Sequence, residues 1–223
     1  DVAARATDPK VRAEAAARGA LLTPIAKAFS TEAGSEVAYL GVQVHGGMGF
    51  IEETGAAQHY RDARITPIYE GTNGIQTIDL VTRKLGANGG ASVWALLDEL
   101  EQTVKQVEAS NDPVFGSTGQ KLREALAALT RASRWLLERV TSAPNDALAG
   151  ATPYLRLFGT TVGGCWLASE ALAARGGSFG EPQRYVALAR FFAENIAVQA
   201  PSLEKSVTDG AETVNGADAV LLG

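Results

Sequence analysis

The stretch "ITPIYEGTNGIQ", residues 65–76, places one carboxylate, Glu70, between an apolar run and a turn of Gly, Thr and Asn that leads into a helix-like pattern. A carboxylate held among apolar groups has its charged form disfavoured, which raises its basicity towards what proton abstraction at neutral pH requires. Gly71 would let a substrate come close to the main chain. The residues alone fit a solvated loop carboxylate or a helix-dipole partner equally well. Glu70 is therefore a candidate general base with an open alternative.

The upstream stretch "GVQVHGGMGF", residues 41–50, packs four glycines into ten positions. Glycines permit positive φ and close approach of the backbone to a ligand, often a phosphate or the edge of a ring. The stretch follows a helix-like segment rather than a strand, so it is not a dinucleotide fingerprint. A tight turn between helices remains the alternative.

Composition excludes several classes of function. The 223 residues are 46% hydrophobic with a formal charge of −5, and the basic residues are scattered, so we expect a globular chain that binds no nucleic acid. The chain shows neither the apolar core of a signal peptide nor a stretch that could span a bilayer, which predicts a soluble, cytoplasmic protein. Because it begins with Asp and enters helix-favouring sequence at once, we expect a fragment of a larger polypeptide.

Metal and thiol chemistry are not predicted. Cys165 is the one cysteine and lies in an apolar stretch, which indicates a small buried hydrophobe rather than a reactive thiol. His45 and His59 are too few and too widely spaced for a metal site, and we interpret them as packing or hydrogen-bonding residues. We expect Arg61 and Asp62, within "YRDAR", to form an ion-pair network that fixes the Glu70 loop.

The first part of the chain reads as helices. The pattern predicts a helix over residues 8–45 with a possible break near Thr23-Pro24, a glycine turn at 46–49, and a short helix from Thr54 to Arg64 with Thr54 as N-cap. An extended "ITPIY" follows. A helix from Asn73 to about Leu85 comes next, with Asn73 and Gln76 at the spacing of a capping box.

The pattern changes at "GANGG", residues 86–90, which we interpret as a helix stop and joint. This predicts two domains, 1–88 and 89–223, and an all-α fold of one helical bundle followed by a second helical module. Further helices are expected over about 153–174 and 182–200, and the tail from 206 shows no clear period. Three apolar stripes mark the predicted core of the second module: Trp94, Leu97, Leu100, Val104 and Val107; Leu122, Leu126, Leu129, Leu136 and Val140; Val186, Leu188, Phe191, Phe192 and Ile196.

The ordered segments "QVHGGMGF" and "YRDARITPIYEGTNGIQ" resemble the C-terminal helical domain of acyl-CoA dehydrogenases, over roughly residues 8–85. Residues 91–223 resemble the extra helical module of the larger members, with less specific motifs. The resemblance implies that Glu70 is the catalytic base and that Tyr69 and Gly71 bind the substrate, with Gly71 against its thioester end.

The same resemblance implies a set of contacts with FAD. Gln43, Gly46 and Gly47 correspond to a segment that reaches across a subunit interface to the ADP part of FAD on a neighbouring protomer. Thr72, Asn73 and Gly74 correspond to positions that touch the flavin cofactor. Because many members have glutamine in place of Gly74, only backbone contact is expected there.

The chemistry implied by the resemblance is oxidation of an acyl-CoA to a trans-2-enoyl-CoA. The flavin ribityl hydroxyl and the Glu70 N–H would polarise the thioester oxygen, Glu70 would take the α-proton, and the β-hydride would pass to flavin N5. The implied partners are a homo-oligomer and an electron-transfer flavoprotein. The alternative is a relative that kept the fold without turnover, as a helical interaction module or a flavin-binding stress-response protein.

Overall fold

One long helix carries the first part of the chain. The computed structural model describes residues 1–177 and 180–221, apart from the side chains of 218–220, and these residues form helices and turns without a strand, which confirms the all-α fold. After a short helix α1 (Val2–Arg5), helix α2 (Pro9–Val44) begins at Asp8, whose Oδ1 accepts a hydrogen bond of 2.8 Å from Lys10 N.

The predicted break at Pro24 is wrong, because α2 continues through it. A proline inside a helix loses one backbone hydrogen bond and costs about 3 kcal/mol. Pro24 lies on the buried face of α2 with Leu21, Ile25 and Ala28, and this burial offsets the loss.

Three short segments follow α2. The predicted glycine turn at 46–49 begins as a turn at Gly46 and continues into helix α3 (Gly47–Phe50). A tight turn then spans Glu52–Thr54, and helix α4 covers Ala56–Ala63. Thr54 is not the N-cap: Gly55 occupies that position with φ 75°, and Thr54 Oγ1 donates instead to the Met48 carbonyl at 2.7 Å.

The predicted extended segment at 65–69 is also wrong. Residues 64–68 form hydrogen-bonded turns, in which the N–H groups of Ile68 and Tyr69 both donate to the Ile65 carbonyl. Helix α5 (Asn73–Asp79) then runs into a wider π-type turn at Leu80–Lys84, so the helical segment ends close to the predicted Leu85.

The second part of the chain is a bundle around a central helix, α9 (Ala151–Arg175). The other helices of this part are α6 (Ala91–Ala109), α7 (Thr118–Ser142), α8 (Pro144–Ala149), α10 (Pro182–Asn195), α11 (Ala200–Thr208) and α12 (Ala211–Leu221). Five helices pack against α9, namely α2, α6, α7, α10 and α11.

A continuous hydrophobic core joins both parts, from Leu21 on α2 to Val207 on α11. Gly159 on α9 permits the closest approach, because a Cβ at that position would overlap the Phe29 ring of α2. The predicted boundary between two domains at residues 88 and 89 stays a prediction. Apolar contacts cross this boundary, because residues on both sides belong to the one core.

The core stripes are confirmed on α6 and α7, where Trp94 and Val140 lie at the half-buried edge. The stripe on α10 is partly wrong: Leu188 and Phe191 are 49% and 58% exposed, and small residues, Ala189 and Ala193, face the core instead. The tail from residue 206 docks on the bundle over its described part, 206–221, which forms the end of α11 and helix α12, and α12 contacts α8 through Asn215 Nδ2 and Asp146 Oδ1 at 3.0 Å.

Cys165 is fully buried, and this burial raises the pKa of its thiol to about 12, which agrees with an inert core residue. Across 1–177 and 180–221, none of the helices combines the length and the apolarity that crossing a bilayer requires.

Candidate functional site

The Glu70 turn, residues 67–73, has an unusual backbone. Glu70 and Gly71 are consecutive residues with positive φ, 58° and 81°. A non-glycine residue seldom adopts this conformation, and where it does the surroundings must hold it there. The Glu70 side chain is exposed, as are Tyr69 and Gly71, so the apolar enclosure that the sequence predicts for the carboxylate is not formed by the described residues.

Hydrogen bonds close the turn on itself. Asn73 N donates to the Pro67 carbonyl at 3.0 Å, and Gln76 Nε2 donates to the Glu70 carbonyl at 3.2 Å. Thr72 is the N-cap of α5, since its Oγ1 accepts from Ile75 N at 3.3 Å. The predicted capping box of Asn73 and Gln76 is therefore wrong, because each of these side chains makes a different contact.

Asn73 is instead a buried link between the turn and α2. Its Nδ2 donates to the Ala28 carbonyl and to Thr31 Oγ1, both at 3.1 Å, and its Oδ1 accepts from Lys27 Nζ at 2.8 Å. Lys27 Nζ also donates to the Gly71 carbonyl at 2.7 Å. Sequence reasoning missed Lys27 and Thr31, and their i, i+4 spacing on one face of α2 is the only signal they leave.

The glycine turn, residues 46–49, lies at the end of α2. Gly46 has φ 60°, and the surroundings of Gly47 are open, with no atom near the position of a Cβ. The tightly packed glycine is Gly49, where a Cβ would overlap the Val42 carbonyl. Gln43 is exposed, and its Nε2 donates to the Tyr39 hydroxyl at 3.1 Å.

Ion pairing in this region differs from the predicted network. Arg61 binds Glu52 through two hydrogen bonds of 2.9 and 2.8 Å rather than pairing with Asp62. These hydrogen bonds lower the pKa of the Glu52 carboxyl below its usual range. Arg61 therefore ties α4 to the turn before it and does not contact the Glu70 turn.

The histidines and acidic residues of the described part of the chain form no metal centre. His45 Nδ1 lies 2.8 Å from the Gly41 carbonyl, which fits the predicted hydrogen-bonding role. Within the described ranges, no three residues among His, Cys, Asp and Glu gather closely enough to hold an ion.

The structure keeps the two groups of predicted residues apart. Lys27, which holds the Glu70 turn, and Gln43, beside the glycine turn, are separated by sixteen positions of one helix, or about 24 Å along its axis. Thr72 and Gly74 lie with the Glu70 turn and are exposed. The chain therefore presents two separate surfaces that a single long ligand or two different ligands could reach.

Exposed apolar side chains surround both surfaces. Val44 and Phe50 beside the glycine turn are 85% and 82% exposed, and Ile68, Tyr69 and Ile75 around Glu70 are each more than half exposed. Such a concentration of exposed apolar residues is typical of a surface that binds a partner or a ligand.

Comparison with known proteins defines the class. Residues 96–218, more than half of the chain, match a family model described as acetyl-CoA dehydrogenase C-terminal like, and residues 3–86 match one described as acyl-CoA dehydrogenase, C-terminal domain. The chain belongs to the acyl-CoA dehydrogenase family.

Several curated relatives are enzymes that act on acyl-CoA. A 3-methylmercaptopropionyl-CoA dehydrogenase from Ruegeria pomeroyi is 40% identical over 211 residues, which cover 92% of this chain and 36% of that protein. A mitochondrial short-chain specific acyl-CoA dehydrogenase from Homo sapiens is 48% identical over 54 residues, 24% of this chain and 13% of that protein. A butyryl-CoA dehydrogenase from Syntrophomonas wolfei is 31% identical over 105 residues, 47% and 17% of the two chains. The chain thus spans about a third of the length of the first of these relatives, and less of the other two.

Proposed function

We propose that this chain supplies the catalytic base and part of the cofactor site of an FAD-dependent acyl-CoA dehydrogenase. Glu70 takes the α-proton of an acyl-CoA thioester during its conversion to the trans-2-enoyl-CoA. The observation that supports this most is the Glu70 turn itself: a carboxylate on a positive-φ backbone, fixed by Asn73 and Lys27 and open on its outer side. A solvated loop carboxylate would not need so constrained a backbone.

The main chain around Glu70 suits a thioester. Among the described residues the Glu70 N–H donates to no acceptor, so it is free to bind the thioester oxygen and to stabilise charge that develops there. Gly71 leaves room beside the carboxylate, and Tyr69 would flank the acyl group. In this proposal the apolar cover that raises the basicity of Glu70 comes from the bound acyl chain and from segments that pack on Ile68 and Tyr69.

The residues predicted to hold FAD fit that group except for Asn73, whose side chain is buried and bonded to α2. Gln43, Gly46 and Gly47 are exposed, and no atom occupies the space beside either glycine, so a phosphate or a ring edge has access to the backbone. Thr72 and Gly74 offer a second exposed contact next to Glu70. Bound FAD would accept the β-hydride while this chain positions the substrate and removes the proton.

The separation along α2 is compatible with an oligomer, and the exposed apolar residues around the glycine turn support one. Two contact surfaces about 24 Å apart suit either the two ends of one extended dinucleotide or two cofactors held by neighbouring protomers. We favour the second arrangement, with the glycine turn facing the ADP part of a partner's FAD, because apolar residues also surround that turn. Electron-transfer flavoprotein is the proposed electron acceptor.

The test replaces Glu70 with glutamine in the whole protein, meaning this chain with any sequence that adjoins it. Glu70→Gln keeps nearly the same volume and the backbone N–H but removes the proton acceptor. General-base catalysis is worth roughly 10² to 10⁴-fold, and we expect a loss near the upper end. The measurement is anaerobic bleaching of the flavin absorbance by butyryl-CoA and by 3-methylmercaptopropionyl-CoA.

A titration with acetyl-CoA separates binding from chemistry, because acetyl-CoA has an α-hydrogen but no β-carbon to oxidise. We expect Glu70→Gln to bind it normally, and Glu170→Gln, an exposed carboxylate on α9, to behave like the wild type in both assays. Flavin reduction at the wild-type rate by Glu70→Gln would refute the role of Glu70. A wild-type protein that binds flavin without any reduction by acyl-CoA would favour the non-catalytic alternative.

A further inference from the structure

Lys27 has an environment that a surface lysine does not need. Its side chain is half-buried on α2, and its ammonium donates to two uncharged acceptors, the Gly71 carbonyl at 2.7 Å and Asn73 Oδ1 at 2.8 Å. Within the described ranges no carboxylate lies within salt-bridge distance of Lys27 or of the exposed Lys205, whereas Lys10, Lys84, Lys105 and Lys121 each have one. Both acceptors of the Lys27 ammonium therefore belong to the Glu70 turn.

The contact is placed where it controls the turn most directly. Gly71 follows Glu70, and both have positive φ, so rotation about the bonds of Gly71 would re-aim the carboxylate. A charged donor makes a stronger hydrogen bond to a carbonyl than a neutral donor does. Lys27 and Asn73 are also hydrogen-bonded to each other. Together with Gly71 they join the turn to the part of α2 that packs on the core.

We propose that Lys27 is a positioning residue for proton abstraction, holding the Gly71 carbonyl so that the Glu70 carboxylate is aimed at the α-carbon of the substrate. This inference rests on the function proposed above. It assigns no direct contact with substrate or flavin to Lys27. Its role is geometric, and misplacement of a catalytic group by about 1 Å is enough to slow a reaction roughly 100-fold.

Exchange of the α-hydrogen of acetyl-CoA for deuterium in D₂O isolates this step. Acetyl-CoA can lose and regain an α-proton but has no β-hydride to give, so the exchange rate reports proton transfer without flavin reduction. The whole flavoprotein is used, with Lys27→Met, which keeps the apolar stem and removes the ammonium. Lys27→Gln, which is neutral but keeps an N–H donor, is measured in parallel in case the Met variant does not fold.

We expect Lys27→Met to exchange about 10- to 100-fold more slowly than the wild type, with flavin content kept and the acetyl-CoA dissociation constant within about threefold. A merely structural role would not produce this split between rate and binding. Lys105→Met, which removes an exposed ion pair with Glu101 on α6, is the matched control and should exchange at the wild-type rate.

Two results would overturn the inference while leaving the proposed function intact. One is exchange by the Lys27 variants at a rate within threefold of wild type. The other is a parallel loss of exchange, acetyl-CoA binding and flavin, which would show general disruption rather than misaimed chemistry. Failure of the proposed function looks different: the wild type itself would neither exchange acetyl-CoA nor reduce flavin with butyryl-CoA, or Glu70→Gln would exchange like the wild type, and the inference would fall with it.

Discussion

Helices α2 and α9 use similar apolar content in opposite ways. Helix α9 buries 14 of its 25 residues inside the bundle, whereas α2, with 36 residues, buries only Leu21, Pro24, Ile25, Ala28 and Ser35. The C-terminal half of α2 and the segments after it leave large apolar side chains exposed, among them Val44 and Phe50. The second part of the chain thus buries much of its apolar surface in the core that it shares with α2, and the part that carries the Glu70 turn presents apolar surface for other groups to cover.

Truncating one phenylalanine in each part tests this difference in burial most directly. Phe158 on α9 is fully buried and makes an edge contact with Tyr154, whereas Phe50 is 82% exposed. We expect Phe158→Ala to lower the free energy of unfolding of the chain by roughly 3–5 kcal/mol, because it leaves a cavity. Phe50→Ala should change it by no more than about 0.5 kcal/mol. Urea unfolding followed by circular dichroism measures both, and equal losses would show that the two parts do not differ in this way.

The contact between the two parts is tested at Gly159. A Cβ there overlaps the Phe29 ring, while at Gly163, one turn later on α9, the nearest atom of the surroundings is Phe192 Cζ at 3.6 Å, an ordinary contact. Gly159→Ala should therefore destabilise by roughly 1–3 kcal/mol through overpacking. Gly163→Ala should be neutral or stabilise by up to about 1 kcal/mol, since alanine favours the helix. A stable Gly159→Ala variant would mean that α2 can move away from α9 at little cost.

At the open surface, substitution should affect binding rather than folding. Gly47 lacks a positive φ and has no neighbour near its Cβ position, so Gly47→Val should leave the unfolding curve of the chain nearly unchanged. Under the proposed function, the added side chain should remove one close backbone contact with FAD in the whole protein. A contact worth about 1.4 kcal/mol corresponds to roughly tenfold weaker flavin binding, measured by flavin fluorescence on dilution. Unaltered flavin affinity would reduce the glycine turn to a connector.

The smallest expected effect concerns a polar pair inside the bundle. Ser133 Oγ donates to the Leu129 carbonyl and lies 2.7 Å from the Tyr154 hydroxyl, so the tyrosine donates to the serine. Burial raises the pKa of Tyr154 well above its usual value, so the hydroxyl stays protonated in the folded chain. Tyr154→Phe removes this donor and should cost about 1 kcal/mol in thermal unfolding. A loss above about 3 kcal/mol would indicate a wider polar network than the structure shows.

Local pattern predicted the bundle better than it predicted the site. The apolar period found α6 and α7, because each packs one face on the core. It failed on α10, where alanines form the inner face and the larger Leu188 and Phe191 point outward. Hydrophobicity alone cannot show which face is buried when the neighbouring helices approach closely enough to require small residues.

The sequence predicted which residues form the candidate site but not their backbone conformation or their contacts. The motif around Glu70 predicted a catalytic carboxylate, a role that stays a prediction, and Gly71 fits the positive φ that the turn requires. The extended backbone expected at 65–69 was wrong, because local hydrogen bonds fold it into turns. The capping role of Asn73 was wrong, because its side chain binds α2 instead. Asn73 and Lys27 are 46 positions apart, and no local rule connects them.

Because α2 is one uninterrupted helix between Lys27 and Gln43, the number of residues in that interval is a constraint of its own. One inserted residue between Lys27 and Gln43 would rotate the glycine turn by about 100° around the helix axis relative to the Glu70 turn and advance it by about 1.5 Å. Many side chains in that interval point outward, so substitutions there should be tolerated. A change in the number of residues should not be. This segment should therefore accept changes of identity far more readily than a single insertion or deletion.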